Sequence, residues 1–352
     1  MKLIFSRWIG VNNPTPLILY IDLTAGCNLS CTYCGVKEFF NNQFSEPELT
    51  HSEIIEILKQ AKQLGVRLVS FGGGEPLLRE DLFDILNSAK RLGLQTHLNT
   101  NGTLITEKVS LKLNEAGLGA AAVSLDSHKA ERHELFRGKG TYEPAINAVK
   151  YLREYAPATL IYINCTVGRH NLDDLEQLVE FAQKLGADLI KFTPVDTNLV
   201  HRFKAKDSYK DILLCPQDAK KAFHVFHKLR DLSVRNSIIG NSDKFLLGMA
   251  ERLEKPVHTN CVAGYLFCLV DPWARVSPCY DVQSGMSLRE HSLIDIWHSD
   301  TFKSLRREVR SCQRPCWDVG SAEPSLLLDP HIIRGKLRMI QRTKTIVSNR
   351  PE

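Results

Sequence analysis

Leu17-Ile18-Leu19-Tyr20-Ile21-Asp22-Leu23-Thr24-Ala25-Gly26-Cys27-Asn28-Leu29-Ser30-Cys31-Thr32-Tyr33-Cys34 is the stretch that decides the fold. Leu17–Leu23 is apolar apart from Asp22, as expected of a parallel strand covered on both faces. Three thiols follow within eight residues, immediately after that strand. Loops at the carboxyl ends of barrel strands are where such folds place active sites.

Working outward, further strand candidates are Arg67–Phe71, Leu94–Leu98, Gly119–Leu125, Leu160–Val167 and Asp188–Thr193, again nearly all apolar. Helical patterns lie between them at Ser52–Leu64, Arg79–Leu92, Thr106–Ala116, Tyr142–Glu154 and Asn171–Leu185. Thr50-His51-Ser52-Glu53 is a helix-start signature, and Gly65, Gly93, Gly117 and Gly186 are C-terminal stops. Six β-α units predict a parallel sheet with right-handed crossovers. With no seventh and eighth strand legible, the expected fold is α/β, an open, partial (β/α)6 TIM-like barrel. A small C-terminal cysteine-rich domain follows it.

The division expected is a barrel over residues 1–232, a linker and metal-stapled domain over 233–320, and a basic helical tail over 321–352. The chain has 352 residues, 43% hydrophobic and 24% charged, enough for a sizeable core and incompatible with a largely disordered chain. Its net charge of +5 resides in the tail. Arg334, Lys336, Arg338, Arg342, Lys344 and Arg350 face one acid, Glu352. Ile333, Leu337 and Ile340 add an apolar stripe, so a short basic amphipathic helix is expected there. The neutral remainder argues against a nucleic-acid-coating protein. No signal peptide and no membrane-spanning run is legible, and a soluble cytoplasmic enzyme is expected. Ten cysteines in that compartment point to metal ligation or catalysis rather than disulfides.

The spacing Cys27-x3-Cys31-x2-Cys34 suits a [4Fe–4S] cube held by three thiolates, with one iron left open. A zinc site completed by His51 is the alternative. Phe71-Gly72-Gly73-Gly74-Glu75-Pro76 follows the second strand, and its glycines let a ligand approach the backbone. Polar residues also end the later strands: Asn99-Thr100-Asn101, Ser124-Leu125-Asp126, Asn164 and Thr166, and Lys191, Thr193 and Pro194. These would point into one cavity, although strand-end capping explains each singly.

Together these motifs resemble the radical SAM superfamily over about residues 15–195. The resemblance implies that Cys27, Cys31 and Cys34 hold the cluster and that S-adenosylmethionine chelates its fourth iron. Tyr33 takes the aromatic position near the adenine. Gly72, Gly73, Gly74 and Glu75 match the turn that holds the methionyl ammonium. Ser124 and Arg137, in His133-Glu134-Leu135-Phe136-Arg137-Gly138, match contacts to the cofactor carboxylate, and Asn99 and Asn164 lie near ribose or substrate. The implied chemistry is reductive cleavage to a 5′-deoxyadenosyl radical that abstracts a substrate hydrogen. A flavodoxin- or ferredoxin-type donor would supply the electron.

Cys261, Cys279, Cys312 and Cys316 form a second group, which resembles the SPASM/twitch extensions of that superfamily. The resemblance implies one auxiliary [4Fe–4S] cluster that relays electrons. Trp273-Ala274 replaces the usual glycine of the turn, and the final pair is Cys312-x3-Cys316, so Cys268 is an alternative fourth ligand. A zinc staple without redox role is a further alternative. Cys165 and Cys215 are expected to be ordinary buried thiols, or a hydrogen-atom donor.

The expected substrate is a small polar molecule such as a sugar, aminocyclitol or nucleotide, undergoing oxidation or rearrangement. Crosslinking or epimerisation of a ribosomally made peptide is the alternative, disfavoured because Cys27 leaves little room for a preceding leader-binding domain. A non-catalytic Fe–S or zinc scaffold is the third reading. Asp126, Lys191, Asp196, Tyr280 and Asp281 are candidate substrate contacts. The basic stretch His201, Arg202, Lys204, Lys206 and Lys210 is a candidate phosphate or acidic-peptide contact, with a solvated surface as the simpler reading.

Overall fold

A computed structural model describes residues 14–36, 46–195, 211–235 and 238–328. Asp196, the basic stretch from His201 to Lys210 and the tail from residue 331 lie outside the described residues.

The six β-α units form as read. The strands are β1 (Ile18–Thr24), β2 (Leu68–Gly73), β3 (Gln95–Thr100), β4 (Ala120–Ser124), β5 (Leu160–Val167) and β6 (Leu189–Pro194). They pair in parallel in that order, and the barrel stays open. Helices α1 (His51–Leu64), α2 (Leu82–Arg91), α3 (Glu107–Ala116), α4 (Ala130–Arg137), α5 (Tyr142–Tyr155) and α6 (Leu175–Leu185) fill the crossovers. Thr50 caps α1 in a full capping box, taking the Glu53 amide at 3.3 Å while the Glu53 carboxylate takes the Thr50 amide at 2.7 Å. Gly65 ends that helix in the left-handed region, at φ 102°.

Two features differ from the sequence reading. First, the strands are not apolar on both faces. Leu19, Ile21, Val69, Phe71, Leu98, Ile163 and Phe192 join the core. The alternate residues, including His97, Asn99, Tyr162, Asn164 and Lys191, are only half-buried. Successive strand side chains point to opposite faces, so one face is packed and the concave face is polar.

Second, the cysteine-rich segment does not build a sheet of its own. After α7 (Ala219–Arg235) and α8 (Asp243–Glu251), strand β7 (Phe267–Val270) pairs in parallel with β1, Ile18 opposite Phe267 and Ile21 opposite Val270. Strands β8 (Arg275–Ser277) and β9 (Met286–Ser287) continue antiparallel, giving the order β6-β5-β4-β3-β2-β1-β7-β8-β9 among the described residues. A four-residue strand carries too little periodicity to declare its partner, and burial against β1 decides it.

Helices α9 (Leu293–His298), α10 (Asp300–Ser311) and α11 (Ala322–Leu327) complete the chain. Arg306 of α10 is buried, lies 4.3 Å over the Trp297 ring, and donates to the Gly264 and Trp297 carbonyls at 2.6 Å each. Among the described residues no helix is long and apolar enough to cross a membrane.

Candidate active site

The cysteine loop after β1 is pinned from three sides. The Glu75 amide donates to the Gly26 carbonyl at 2.8 Å and the Gly74 amide to the Thr24 carbonyl at 2.7 Å. Asn28 receives a hydrogen bond from Asn101 at 2.9 Å and donates to Thr103 at 2.8 Å. The Thr32 amide and hydroxyl reach the Phe136 and Leu135 carbonyls at 2.8 and 3.0 Å. Cys27, Cys31 and Cys34 are therefore held half-buried at the mouth of the barrel.

Burial pushes the Cys31 thiol up to about 11, Arg137 opposes this, and the neighbouring Cys34 and Cys27 add to the rise. Three mutually close, half-buried thiols need a cation before they ionise, and iron supplies one. The donor set fits a three-thiolate cluster. Among the described residues no three His, Cys, Asp or Glu converge to hold a single ion. A cube makes no such demand, because each thiolate takes its own iron corner. His51, the zinc alternative's extra ligand, is exposed at the start of α1.

The glycine turn lies against this loop. Gly73 has φ 107°, a conformation natural to glycine. A Cβ on Gly74 would run into the Gly26 carbonyl. Gly74→Ala is therefore expected to push the two loops apart and cost about 1–3 kcal/mol. Its measured signature is weakened S-adenosylmethionine binding in equilibrium dialysis. Binding equal to the parent would show that the contact is dispensable.

Glu75 behaves differently from the cofactor contact expected of it. It is 0% exposed, and its carboxylate accepts from the Leu77 amide (3.1 Å), the Thr100 hydroxyl (2.8 Å) and the Asn101 amide (2.8 Å). It ties the turn to the end of β3.

Arg137 and Asp126 also depart from expectation. The Arg137 guanidinium forks onto Asp126 at 2.6 and 3.1 Å, and Asp126 further accepts the Thr166 amide at 2.8 Å. Asp126 is 0% exposed, so it faces Arg137 rather than a substrate. Burial works against the Arg137 charge, yet Asp126, Tyr33 and Cys31 hold its pKa above the ordinary arginine value. Arg137 also lies 5.6 Å over the Tyr33 ring, and Thr166 donates to the Tyr33 hydroxyl at 3.2 Å. Tyr33 is thus fixed between the cysteines and the β5 end.

Asn99 and Asn164 meet across the concave face at 3.4 Å, and Asn99 also donates to the Ser70 hydroxyl and Phe71 carbonyl at 3.2 Å each. Ser124 is in register with Asn164, and Asn164 with Lys191. Lys191 lies 5.1 Å over Tyr162, and burial lowers its pKa while Glu323 opposes. His97 is pushed down to about 4 by burial and by Lys191, so it is neutral.

In the second group, Cys261, Cys279, Cys312 and Cys316 are all half-buried. Burial pushes Cys279 up to about 12, with Cys261 close enough to add to the rise, and Arg314 feels both Cys312 and Cys279. Arg314 pairs with Asp281 at 3.1 Å, which removes Asp281 from the expected substrate contacts. Cys268 is excluded as a fourth ligand by its face. It is 0% exposed, in register with Leu19 and packed in the main core. Cys268→Ala is accordingly expected to keep the parent's iron content, whereas Cys279→Ala loses about one cluster's worth of iron. Equal iron losses in the two variants would overturn this placement.

Cys165 is a core thiol as expected, 3.6 Å from the Asp126 carbonyl. Cys215 is not buried as expected. It is only half-buried, within 2.6 Å of Arg169 and 3.2 Å of Asp218.

Beside Cys279 of the second group lies a cavity of about 420 Å³ that the sequence did not reveal. Asp22, Asp271, Cys279 and Tyr280 are among the described residues that line it. Among the described residues, Tyr280 alone of the substrate contacts expected from sequence lines it. A Cβ on Gly72 would stand 3.5 Å from an Asp22 carboxylate oxygen, so the cavity abuts the glycine turn.

Comparison with known proteins agrees with this arrangement. The Radical SAM superfamily model matches residues 21–182, and the SPASM iron–sulfur cluster-binding domain matches residues 261–318. The AdoMet-dependent heme synthase of Methanosarcina barkeri is 30% identical over 316 residues, covering 85% of this chain and 86% of that protein. The mycofactocin maturase MftC of Mycolicibacterium smegmatis is 28% identical, covering 83% of this chain and 72% of that protein. Streptococcus suis SuiB bound to its precursor peptide SuiA superposes with TM-score 0.66 at 20% identity, over 88% of this chain and 70% of that one. The radical SAM domain brings a [4Fe–4S] cluster and S-adenosylmethionine, and the SPASM domain an auxiliary iron–sulfur centre. This chain belongs to the radical SAM superfamily and is one of its enzymes that carry a C-terminal SPASM domain.

Proposed function

We propose that this enzyme oxidatively modifies a side chain of a peptide. The observation that carries the reading is the cavity lined by Asp22 and Cys279, which reaches the surface at the exposed residues Gln283 and Glu290. At about 420 Å³ it has room for an inserted side chain. The SuiB structure with its precursor peptide, and the anSMEcpe structure with a Cp18Cys peptide, support a peptide over the small polar molecule expected from sequence.

In this reading Cys27, Cys31 and Cys34 hold the catalytic cluster. Cys261, Cys279, Cys312 and Cys316 hold the auxiliary one. When bound, the first cluster and S-adenosylmethionine supply a hydrogen-abstracting 5′-deoxyadenosyl radical, and the second cluster takes up an electron. The protein's task is position and exclusion of water. Carbonyls of Gly72, Gly73 and Gly74 receive the methionyl ammonium. Ser124, Asn99 and Asn164 line the polar concave face toward ribose and substrate, and Tyr33 flanks the adenine. Arg137 holds Tyr33, and Glu75 holds the turn. A flavodoxin- or ferredoxin-type protein donates the electron.

A tetrapyrrole substrate is the second reading, favoured by the 30% identity to a heme synthase. It ranks second because, among the described residues lining the cavity, the four carboxylates Asp22, Glu46, Asp271 and Glu290 outnumber the two guanidiniums Arg275 and Arg289, which disfavours a polycarboxylate.

The test is anaerobic turnover of the reconstituted, reduced enzyme with perdeuterated peptides encoded beside its gene. Deuterium in 5′-deoxyadenosine, with loss of hydrogen from the peptide, is the expected result. Deuterium arriving only from labelled sugars, nucleotides or tetrapyrroles would overturn the reading.

A further inference from the structure

We propose that Ser70 and His97 are positioning residues for Asn99, fixing its side-chain amide so that it offers only its oxygen to a hydroxyl of the S-adenosylmethionine ribose. The inference rests on the reading of the polar concave face as the cofactor's, and not on the identity of the substrate.

The three residues come from two adjacent strands. His97 and Asn99 alternate with Leu98 on β3 and so share the concave face, and Ser70 on β2 is in register with His97. Ser70 is 4% exposed. Its hydroxyl oxygen lies 2.9 Å from His97 Nδ1 and 3.2 Å from Asn99 Nδ2. An amide nitrogen only donates, so Asn99 donates to Ser70 and the single Ser70 proton goes to His97 Nδ1. His97 is neutral, pushed down to about 4 by burial and by the Lys191 charge. Its Nδ1 therefore accepts, and the ring proton sits on Nε2.

Asn99 is thereby used up as a donor. Its second amide hydrogen goes to the Phe71 carbonyl at 3.2 Å. A flipped amide would set its oxygen against that carbonyl, which has no hydrogen to give, and would draw the Ser70 proton away from His97. Only the oxygen remains, and it accepts from Asn164 at 3.4 Å with a second lone pair left for a ligand. This meeting spans β4, which pairs with both β3 and β5. Ala122, opposite Asn99 on β4, presents only a methyl there. The acceptor stands next to the glycine turn, since a Cβ on Gly72 would lie 3.8 Å from Asn99 Nδ2. A ribose carries hydroxyl donors, and an acceptor that cannot turn into a donor selects for them.

A purely structural role for Ser70 and His97 would be to fill the barrel interior, where the His97 ring also lies 5.7 Å from that of Tyr162. The two roles part in a double-mutant cycle and in ribose specificity.

The experiment dialyses the cluster-loaded, oxidised enzyme to equilibrium against S-adenosylmethionine and against its 2′,3′-dideoxyribose analogue, without reductant, so that no turnover intervenes. Asn99→Ala is expected to weaken S-adenosylmethionine binding about tenfold or more, and Ser70→Ala about fivefold. The Ser70→Ala loss should fall below about twofold when Asn99 is already alanine. The preference for the full ribose should shrink in Ser70→Ala, because the dideoxy analogue makes no use of the acceptor. His97→Leu should match Ser70→Ala, and His97→Asn, whose amide oxygen can stand where Nδ1 stands, should restore most of the loss. A merely structural pair predicts the reverse order, since asparagine leaves the larger gap. If Ser70→Ala does not fold, the two His97 variants carry the same cycle with Asn99→Ala. Equal losses of both ligands in Ser70→Ala, or a loss that persists undiminished beside Asn99→Ala, would sink the proposal. So would parent-like binding by Ser70→Ala while Asn99→Ala is weakened, and the ribose contact of Asn99 then stands alone. Asn99→Ala binding both ligands as the parent does removes the ribose contact as well.

Discussion

Cys31→Ala is expected to abolish 5′-deoxyadenosine formation, by about a thousandfold or more, as befits loss of an essential catalytic group. Cys31 is the middle thiol of a loop held by the glycine turn, by Asn101 and Thr103, and by the end of α4. Removing the thiol leaves that scaffold intact and takes away one of three proposed iron ligands. The variant should fold, show the parent's far-ultraviolet circular dichroism and lose iron from the first site alone. Electron paramagnetic resonance then reports only the auxiliary signal. Undiminished 5′-deoxyadenosine from this variant would refute catalysis at this loop and revive a scaffold reading. Cys268→Ala, which touches neither loop, is the matched control.

Asp126→Ala is expected to cost about 3–5 kcal/mol, because it strands the buried Arg137 charge. Arg137 donates two hydrogen bonds to the Asp126 carboxylate, and neither side chain has appreciable access to water. The loss should appear as a lowered urea midpoint with an unchanged slope. A second substitution tests the cause. Asp126→Ala combined with Arg137→Met removes the orphaned charge and should recover most of the stability. If the double variant is no better than the single one, the loss comes from the Thr166 amide that Asp126 also accepts, and not from the ion pair. Because Arg137 packs over Tyr33, the single variant should also bind S-adenosylmethionine more weakly.

These two sites show where the sequence was readable. Cys27, Cys31, Cys34 and the glycine turn are local motifs, close in sequence and set on strand ends, so their spacing carries their meaning. The helix stops at Gly65, Gly117 and Gly186 are equally local, each glycine taking the left-handed conformation. Asp126 and Arg137 were legible as residues but not as partners. Helix α4 is polar, its apolar residues do not form a continuous stripe, and no sequence rule pairs it with the end of β4. That polar side chains at the strand ends share one cavity was legible, but which of them touch was not. Asn99, Asn164 and Lys191 are scattered among apolar neighbours and align only once the register is known. The cavity beside Cys279 was out of reach for the same reason. Asp22 and Asp271 are 249 positions apart, and only the pairing of β1 with β7 makes them neighbours.

That pairing also limits how the enzyme can move. Strand β7 leads straight into the turn and hairpin that carry Cys279, while β1 leads into the loop that carries Cys27. Cys27 and Cys279 thus both follow strands of a single hydrogen-bonded sheet. A slip of one residue would turn Cys268 toward the concave face and Leu269 into the core, so the register resists sliding. The spacing between Cys27 and Cys279 is therefore set by the backbone pairing of the strands before them. Changes of substrate among related enzymes should therefore map to the side chains at the cavity mouth and leave the ladder untouched.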